Sequence, residues 1–383
     1  MRALAIGVVL VSATVHAQTQ SLTPDQCRAI TSQVANVYRS ADSSASFDET
    51  PHPGTGTAWT GHALFTKSGF VLDYTNPPNR RVVGDGVSVR TYDGATVVEA
   101  RPDQSAYWLF SVLTTFDALD VGLLGYCGLT STSGHTVRVS AVGSSADAIV
   151  TIDPRTARIT HASSLGQWFY FTNIQSAASS PRALPPASQA VHDVESFYAT
   201  STTRIASFTQ TLTVQSQTTT AAGDVVFWRN GHLDFQYVSP TTSRFNSNGT
   251  DDVFYDASSN RIVTRAAELN PFAILTGASF GTTYRLQVTD GSPRGFLAGY
   301  VLTGVPIAPS TIARVDWFID ERTFEVLRVE MADRHGVQSR VDLHFARPTT
   351  YIVAARESVV APSLAIASRA LRGATVIPAS HPL

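Results

Sequence analysis

The chain has 383 residues, of which 43% are apolar and 15% charged, with a formal net charge of −2. That length suggests two or three domains, and the apolar share suits packed cores rather than disorder. Lys67 is the only lysine among the 28 basic residues, so no basic patch exists to grip nucleic acid, and two cysteines are too few for a disulfide scaffold or a cysteine-rich metal centre.

The first 17 residues, MRALAIGVVLVSATVHA, read as a secretory signal. Arg2 is followed by an apolar run over 3–11 and the small-x-small site Val15-His16-Ala17. No later stretch approaches the roughly 18 apolar residues of a membrane-spanning helix. Cys27 lies ten residues beyond the cleavage site and follows Asp25-Gln26, so it is not a lipidation cysteine. The mature chain is expected to be exported and to lack a transmembrane segment. In an oxidising compartment Cys27 and Cys127 can pair, and their shared half of the chain favours a bridge; the alternative is two buried thiols. A bridge closing so long a loop would contribute up to about 4–5 kcal/mol.

The first element after the signal is a helix. Thr23-Pro24-Asp25-Gln26 supplies an N-cap, a proline at the first helical position and a glutamine that completes a capping box. Cys27, Ile30, Val34, Val37, Tyr38 and Ala41 then keep helical spacing. Strands follow. Phe70, Leu72 and Tyr74 alternate onto one face, Asn76-Pro77-Pro78-Asn79 is a tight connection, and Gly84-Asp85-Gly86 is a hairpin turn. The rhythm breaks at YWLFSVLTTF (107–116), which is apolar nearly all round and predicts a short helix that is buried or covers a cavity.

Residues 176–188, SAASSPRALPPAS, have a linker's composition. The same plan then restarts. Val191, Val194, Phe197 and Tyr198 mark a helix, and Leu233, Phe235 and Tyr237 a strand face. Ser239-Pro240-Thr241-Thr242 and Asn246-Ser247-Asn248-Gly249 are turns, and NPFAILTG (270–277) is a second apolar interruption. Aligned at an offset of 163, Tyr74/Tyr237, Pro77/Pro240, Arg81/Arg244, Gly86/Gly249, Tyr92/Tyr255 and Asp93/Asp256 coincide. Upstream, Ser46-Phe47 matches Ser207-Phe208; downstream, TIDPRTARIT (151–160) matches FIDERTFEVL (318–327). This is a domain duplication. The expected organisation is a signal peptide at 1–17, domains at 18–175 and 189–356, the linker at 176–188 and an Ala/Ser/Val/Pro-rich, loosely attached tail at 357–383. The fold class expected is mainly β, one curved antiparallel sheet covered by short helices in each copy.

No catalytic constellation emerges. The ten histidines form no H-x-x-x-H pair, no G-x-S-x-G elbow occurs, and the glycine pairs at 54–56 and 84–86 lack the third glycine of a phosphate loop. Asp251-Asp252 reads as a solvated turn doublet. The chain is therefore expected to be a binder rather than an enzyme, with no cofactor and no metal.

The second copy resembles the periplasmic outer-membrane lipoprotein carrier family, LolA. The residues that carry the resemblance are Ser207-Phe208-Thr209-Gln210, Gly223 to Arg229, Leu233 and Phe235, Pro240, Gly249, Phe254-Tyr255 and Asn270-Pro271-Phe272-Ala273-Ile274-Leu275. The first copy keeps Ser46-Phe47, Gly61, Phe65, Pro77, Asp85-Gly86 and Tyr92-Asp93. The resemblance implies two tandem incomplete antiparallel β-barrels, each closed by helices over an apolar cavity for acyl chains of lipoproteins or related lipids. It implies periplasmic location, a monomer, an inner-membrane donor and an outer-membrane acceptor protein. Phe65, Phe70, Leu72 and Tyr74 with Trp108, Leu109, Phe110 and Leu113 are expected to line the first cavity. Phe227, Leu233, Phe235 and Tyr237 with Pro271, Phe272, Ile274 and Leu275 are expected to line the second. The family's arginine that latches the helical lid corresponds to Arg229, and to Lys67 in the first copy, whose lid a Cys27–Cys127 bridge would pin. Two other readings stand beside the carrier. One is an envelope sensor of the same fold, similar to RseB, that binds lipoprotein or peptide signals; the other is a non-lipid tandem β binding module.

Overall fold

The computed structural model describes residues 20–345 and 375–378, except 22, 51–57, 86–87, 95, 102–104, 116–123, 130–134, 142–146, 154, 165, 178–182, 230, 241, 267–268, 277–280. The predicted signal at 1–17 lies outside the described residues. The chain divides into two compact units, Met1–Ser180 and Pro181–Leu383.

Unit one runs β1 (Gln20–Ser21), α1 (Pro24–Ser40), β2 (Ser43–Thr50), β3 (Trp59–Thr66), β4 (Gly69–Asn76), β5 (Arg80–Gly84), β6 (Val89–Asp93) and β7 (Thr96–Ala100). It continues with α2 (Trp108–Thr115), β8 (Leu124–Leu129), β9 (His135–Ala141), β10 (Asp147–Ile152), β11 (Ile159–Ser164) and β12 (Gln167–Ser176). Unit two runs α3 (Ala187–Ala199), β13 (Thr203–Val214), β14 (Gln217–Trp228), β15 (Leu233–Ser239), β16 (Ser243–Ser247), β17 (Asp251–Asp256) and β18 (Arg261–Ala266). A 3-10 turn (Ala273–Thr276) precedes β19 (Tyr284–Asp290), β20 (Gly299–Pro306), β21 (Ile312–Asp320), β22 (Val326–Asp333), β23 (Gln338–Phe345) and β24 (Thr375–Pro378).

Each unit is one long, open sheet. Its order in unit one is β1-β8-β9-β10-β11-β12-β2-β3-β4-β5-β6-β7, and in unit two β19-β20-β21-β22-β23-β13-β14-β15-β16-β17-β18-β24. Leaving out the edge strands β1 and β24, the second order is the first with every strand number raised by eleven. The duplication read in the sequence is thus a duplication of topology. Among the described residues neither sheet closes, and all pairings are antiparallel except β18 with β24. The pairing of β24 gives part of the predicted loose tail a fixed register, Arg261 opposite Thr375 through Thr264 opposite Pro378.

The helix start is built as its sequence requires. Thr23 Oγ1 accepts the Gln26 backbone N–H, and Gln26 Oε1 accepts the Thr23 N–H at 3.0 Å. One face of each sheet packs on its helices and lid. On β2, Ser43, Ala45, Phe47 and Glu49 point inward while Asp48 faces solvent. Phe70, Leu72 and Tyr74 of β4, and Leu233 and Phe235 of β15, lie on the buried face, as their alternation predicts. The hairpins at 153–158 and 320–325 are copies of each other. Asp153 N donates to Arg158 O and Asp320 N to Glu325 O, both at 2.8 Å, and Ala157 and Phe324 both take a positive φ.

Candidate functional site: the space beneath each lid

In unit two the lid is short. Asn270 Oδ1 accepts the Phe272 N–H at 2.9 Å, which starts the turn, and Trp317 of β21 donates its indole N–H to the Pro271 carbonyl at 2.7 Å. Trp317 is buried, so this bond ties the lid to the sheet from the inside. The Phe272 ring meets Phe235 at 5.1 Å and Phe227 at 6.3 Å. Ile274 and Leu275 are buried in the same core.

Beside this lid is a cavity of about 280 Å³. Phe235, Tyr237, Phe245 and Phe272 form its aromatic side, and Ile312, Met331 and Val341 its aliphatic side. The rim is polar. Arg265 pairs with the buried Asp252 at 3.4 Å. The Tyr237 hydroxyl donates to Gln210 Oε1 at 2.8 Å, and Gln210 Nε2 donates to Ser339 Oγ at 3.1 Å. Burial pushes the Tyr237 hydroxyl up to about 12, so it is a neutral donor at any physiological pH. An apolar hole whose polar rim is already hydrogen-bonded or ion-paired can hold an apolar chain without leaving those rim groups unpaired.

The lid of unit one is longer and is fastened differently. Ser105 Oγ accepts the Tyr107 N–H at 3.1 Å just before α2. The Tyr107 hydroxyl sits 3.3 Å from that of Tyr74 and accepts Arg80 Nη2 at 3.1 Å. Tyr74 in turn donates to Glu49, which is fully buried. Arg80 lies over the Trp59 ring, 4.4 Å from its centroid. Burial pushes the Glu49 carboxyl up to about 7, against the Tyr74 hydrogen bond and the Arg80 charge, which pull it down. Burial, with Tyr107 and Glu49 alongside, also raises Tyr74. A hollow of about 530 Å³ in unit one is a solvent-open groove by Val37, Ala41, Asp153 and Arg158.

Most expected cavity residues are brought together in these two places. Phe65, Phe70, Leu72, Tyr74, Trp108, Leu109 and Phe110 belong to the core of unit one, and the Leu113 side chain lies outside the described residues. Of the second set, Phe235, Tyr237, Pro271 and Phe272 border the cavity, whereas Phe227, Leu233, Ile274 and Leu275 pack in the core next to it. Lys67 and Arg229 are exposed residues of the turns after β3 and β14, and no side-chain contact of either with a lid is seen among the described residues. Among the described residues, polar lid contacts come from Arg80 and Tyr74 in unit one and from Trp317 in unit two. Asp252 is not a solvated turn residue but the buried partner of Arg265. Cys127 lies on β8, not in the lid; β8 neighbours α1, which carries Cys27, and both sulfurs lie outside the described residues.

Glu49 and Gln210 were legible in principle, since each stands two residues after the phenylalanine of a Ser-Phe pair and so on the same strand face. Trp317 and Val341 carry no local signal; only the sheet order brings β21 and β23 to the lid.

Each unit is therefore a half-open antiparallel barrel with a helical or 3-10 lid. The family comparison agrees: residues 199–351 match the family model described as outer membrane lipoprotein carrier protein LolA. The match lies within unit two, and the strand order of that unit recurs in unit one. Among solved structures, a putative outer membrane lipoprotein-sorting protein domain from Vibrio parahaemolyticus is similar at 14% identity, covering 42% of this chain and 93% of that one, with a TM-score of 0.27. A LolA superfamily protein from Nitrosomonas europaea is similar at 12% identity, covering 44% and 97%, TM-score 0.27. The MucA/MucB complex of Pseudomonas aeruginosa is similar at 12% identity, covering 86% and 97%, TM-score 0.28. No curated protein sequence matches the chain.

Proposed function

We propose that this protein is an exported, periplasmic binding protein that takes an acyl chain of a lipoprotein or related lipid into the cavity of unit two and passes it towards the outer membrane without chemical change. The observation that carries this reading is the aromatic and aliphatic cavity of about 280 Å³ beside the Asn270–Leu275 lid, in the unit that matches the lipoprotein carrier family. Its size lies just below the range of small-ligand pockets, about 300–1,000 Å³. Each methylene buried contributes about 0.8 kcal/mol, so a chain of modest length offsets its ordering cost. The lid rests on Phe235 and Phe227, and ligand must compete with that packing. This competition lowers net affinity and favours handover to a stronger acceptor.

The test is native mass spectrometry of the purified mature chain, followed by organic extraction and lipid analysis. A bound acyl species that disappears in Phe235→Glu, with the fold retained by circular dichroism, supports the reading. Absence of lipid, together with no uptake of a fluorescent fatty-acyl probe, overturns it.

A further inference from the structure

The two copies share a strand order but not an interior. In unit one, Phe110 of α2 projects into a cage of rings: Phe65 at 5.7 Å, Phe70 at 5.5 Å, Phe169 at 5.0 Å and Phe171 at 5.7 Å. All of these rings are buried. The sheet registers identify their counterparts. Phe65 pairs with Phe70 across β3 and β4, and Phe227 pairs with Leu233 across β14 and β15. Phe171 lies opposite Phe47, and Leu343 opposite Phe208, so Phe169 and Phe171 correspond to Val341 and Leu343. Three of the four cage rings are thus aliphatic in unit two, and the lid there, NPFAILT, has its single phenylalanine near its start. Val341, standing where Phe169 stands, lines the open cavity.

The lid of unit one is also tied down more heavily. Glu49, Tyr74 and Arg80 converge on Tyr107, next to α2, while unit two has Gln210 and Tyr237 in the first two places and Ser243 in the third. A buried acid and a guanidinium hold the helix that carries Phe110.

We infer that the two copies divide the work: unit two is the binding copy, and unit one is a self-filled copy in which Phe110 and Phe169 fill the side of the interior that Val341 leaves open in unit two. The protein then carries one acyl chain, not two. This rests on the functional reading above.

The experiment titrates a fluorescent fatty-acyl probe into the full mature chain and counts bound probe by native mass spectrometry, for wild type, Phe110→Ala, Phe110→Leu and Val341→Phe, each checked for cooperative unfolding. The expected result is one probe per wild-type chain and none for Val341→Phe. Phe110→Ala empties the cage and gives two per chain, and the milder Phe110→Leu, which keeps a core side chain, covers the case in which the alanine variant does not fold. Two probes on the wild-type chain, or one probe on a folded Phe110→Ala or Phe110→Leu chain, overturns the division. So does a folded Val341→Phe chain that still binds. A wild-type chain that binds no probe overturns the functional reading instead, and a second site opened by Phe110→Ala then still supports the filled interior of unit one.

Discussion

The Tyr198 hydroxyl accepts the backbone N–H of Val326 at 3.0 Å, and both residues are buried. Tyr38 does the same for Ile159 in the other unit, also at 3.0 Å. Each tyrosine belongs to the helix that opens its unit, and each N–H starts the strand after the conserved-in-copy Asp hairpin. The bond therefore nails helix to sheet at one point that the duplication kept. Burial pushes the Tyr38 hydroxyl up to about 12, so it remains a neutral acceptor. Tyr198→Phe leaves the Val326 N–H without its partner in the core, at a cost of about 1–3 kcal/mol. Thermal unfolding followed by circular dichroism should show a lower Tm, with acyl-probe stoichiometry unchanged in the folded chain. An unchanged Tm would show that the bond does not fasten the helix.

Glu49 makes the stability of unit one depend on pH. Its carboxyl is raised from 4.5 to about 7 in the folded chain, chiefly by burial. The folded state then binds more protons than the unfolded state between these values, so stability falls as pH rises. The contribution is fully present below about pH 4.5 and is lost by about pH 7, a change on the order of 3 kcal/mol. Glu49→Gln, which places the amide that unit two has at Gln210, should flatten this slope. Urea unfolding at pH 5, 6 and 7 reads it out, and equal slopes for variant and wild type would refute the assignment.

The Trp317 indole is the lid contact of unit two, with its N–H on the Pro271 carbonyl at 2.7 Å. Trp317→Phe keeps a ring in the core but removes the donor. A neutral hydrogen bond is worth about 1 kcal/mol net, so the lid should open several-fold more readily. Stopped-flow release of a bound fatty-acyl probe to vesicles should accelerate by roughly fivefold. A release rate equal to wild type would mean that lid opening does not limit exit.

Much of this organisation could be read before any coordinates. The repeated Tyr-x-x-Pro, Asn-Gly or Asp-Gly, and Tyr-Asp spacing identifies two equal sheets, because turns and period-two faces are local properties. The strand face of Phe70, Leu72 and Tyr74 follows from alternation alone. What was not legible depends on strands far apart in sequence. The latch role of Lys67 and Arg229 comes from the resemblance to the carrier family alone, and each follows its strand's last residue and falls into the solvent-exposed turn. Trp317 and Val341 reach the lid only because β21 and β23 lie on the far arm of the sheet. The different fillings of the two interiors likewise arise from Phe169 and Phe171, some 60 residues beyond the lid they touch.

The last prediction concerns two glycines at one place in both copies. Gly61 of β3 and Gly223 of β14 each sit where the register slips by one residue against the next strand. A Cβ on Gly61 would lie 2.2 Å from the Asp73 carbonyl, and one on Gly223 would lie 2.0 Å from the Gln236 carbonyl. Backbone cannot yield there as a flexible side chain would, so the strand must shift or the pairing must break. Gly61 also faces the Phe47 ring, which packs on Tyr74 at 5.0 Å, while in unit two Phe208 packs on Tyr237 at 5.1 Å. Moving either strand therefore moves the tyrosine at the mouth of its barrel. Gly223→Ala should destabilise unit two by about 1–3 kcal/mol and weaken acyl-probe binding together with stability. Gly249→Ala is the control: Gly249 has a φ of 84° but open space around its Cβ position, so its cost is backbone strain at a turn away from the cavity wall. Gly249→Ala should lower Tm without changing probe affinity, and equal losses of affinity in the two variants would sink the link between this bulge and the cavity.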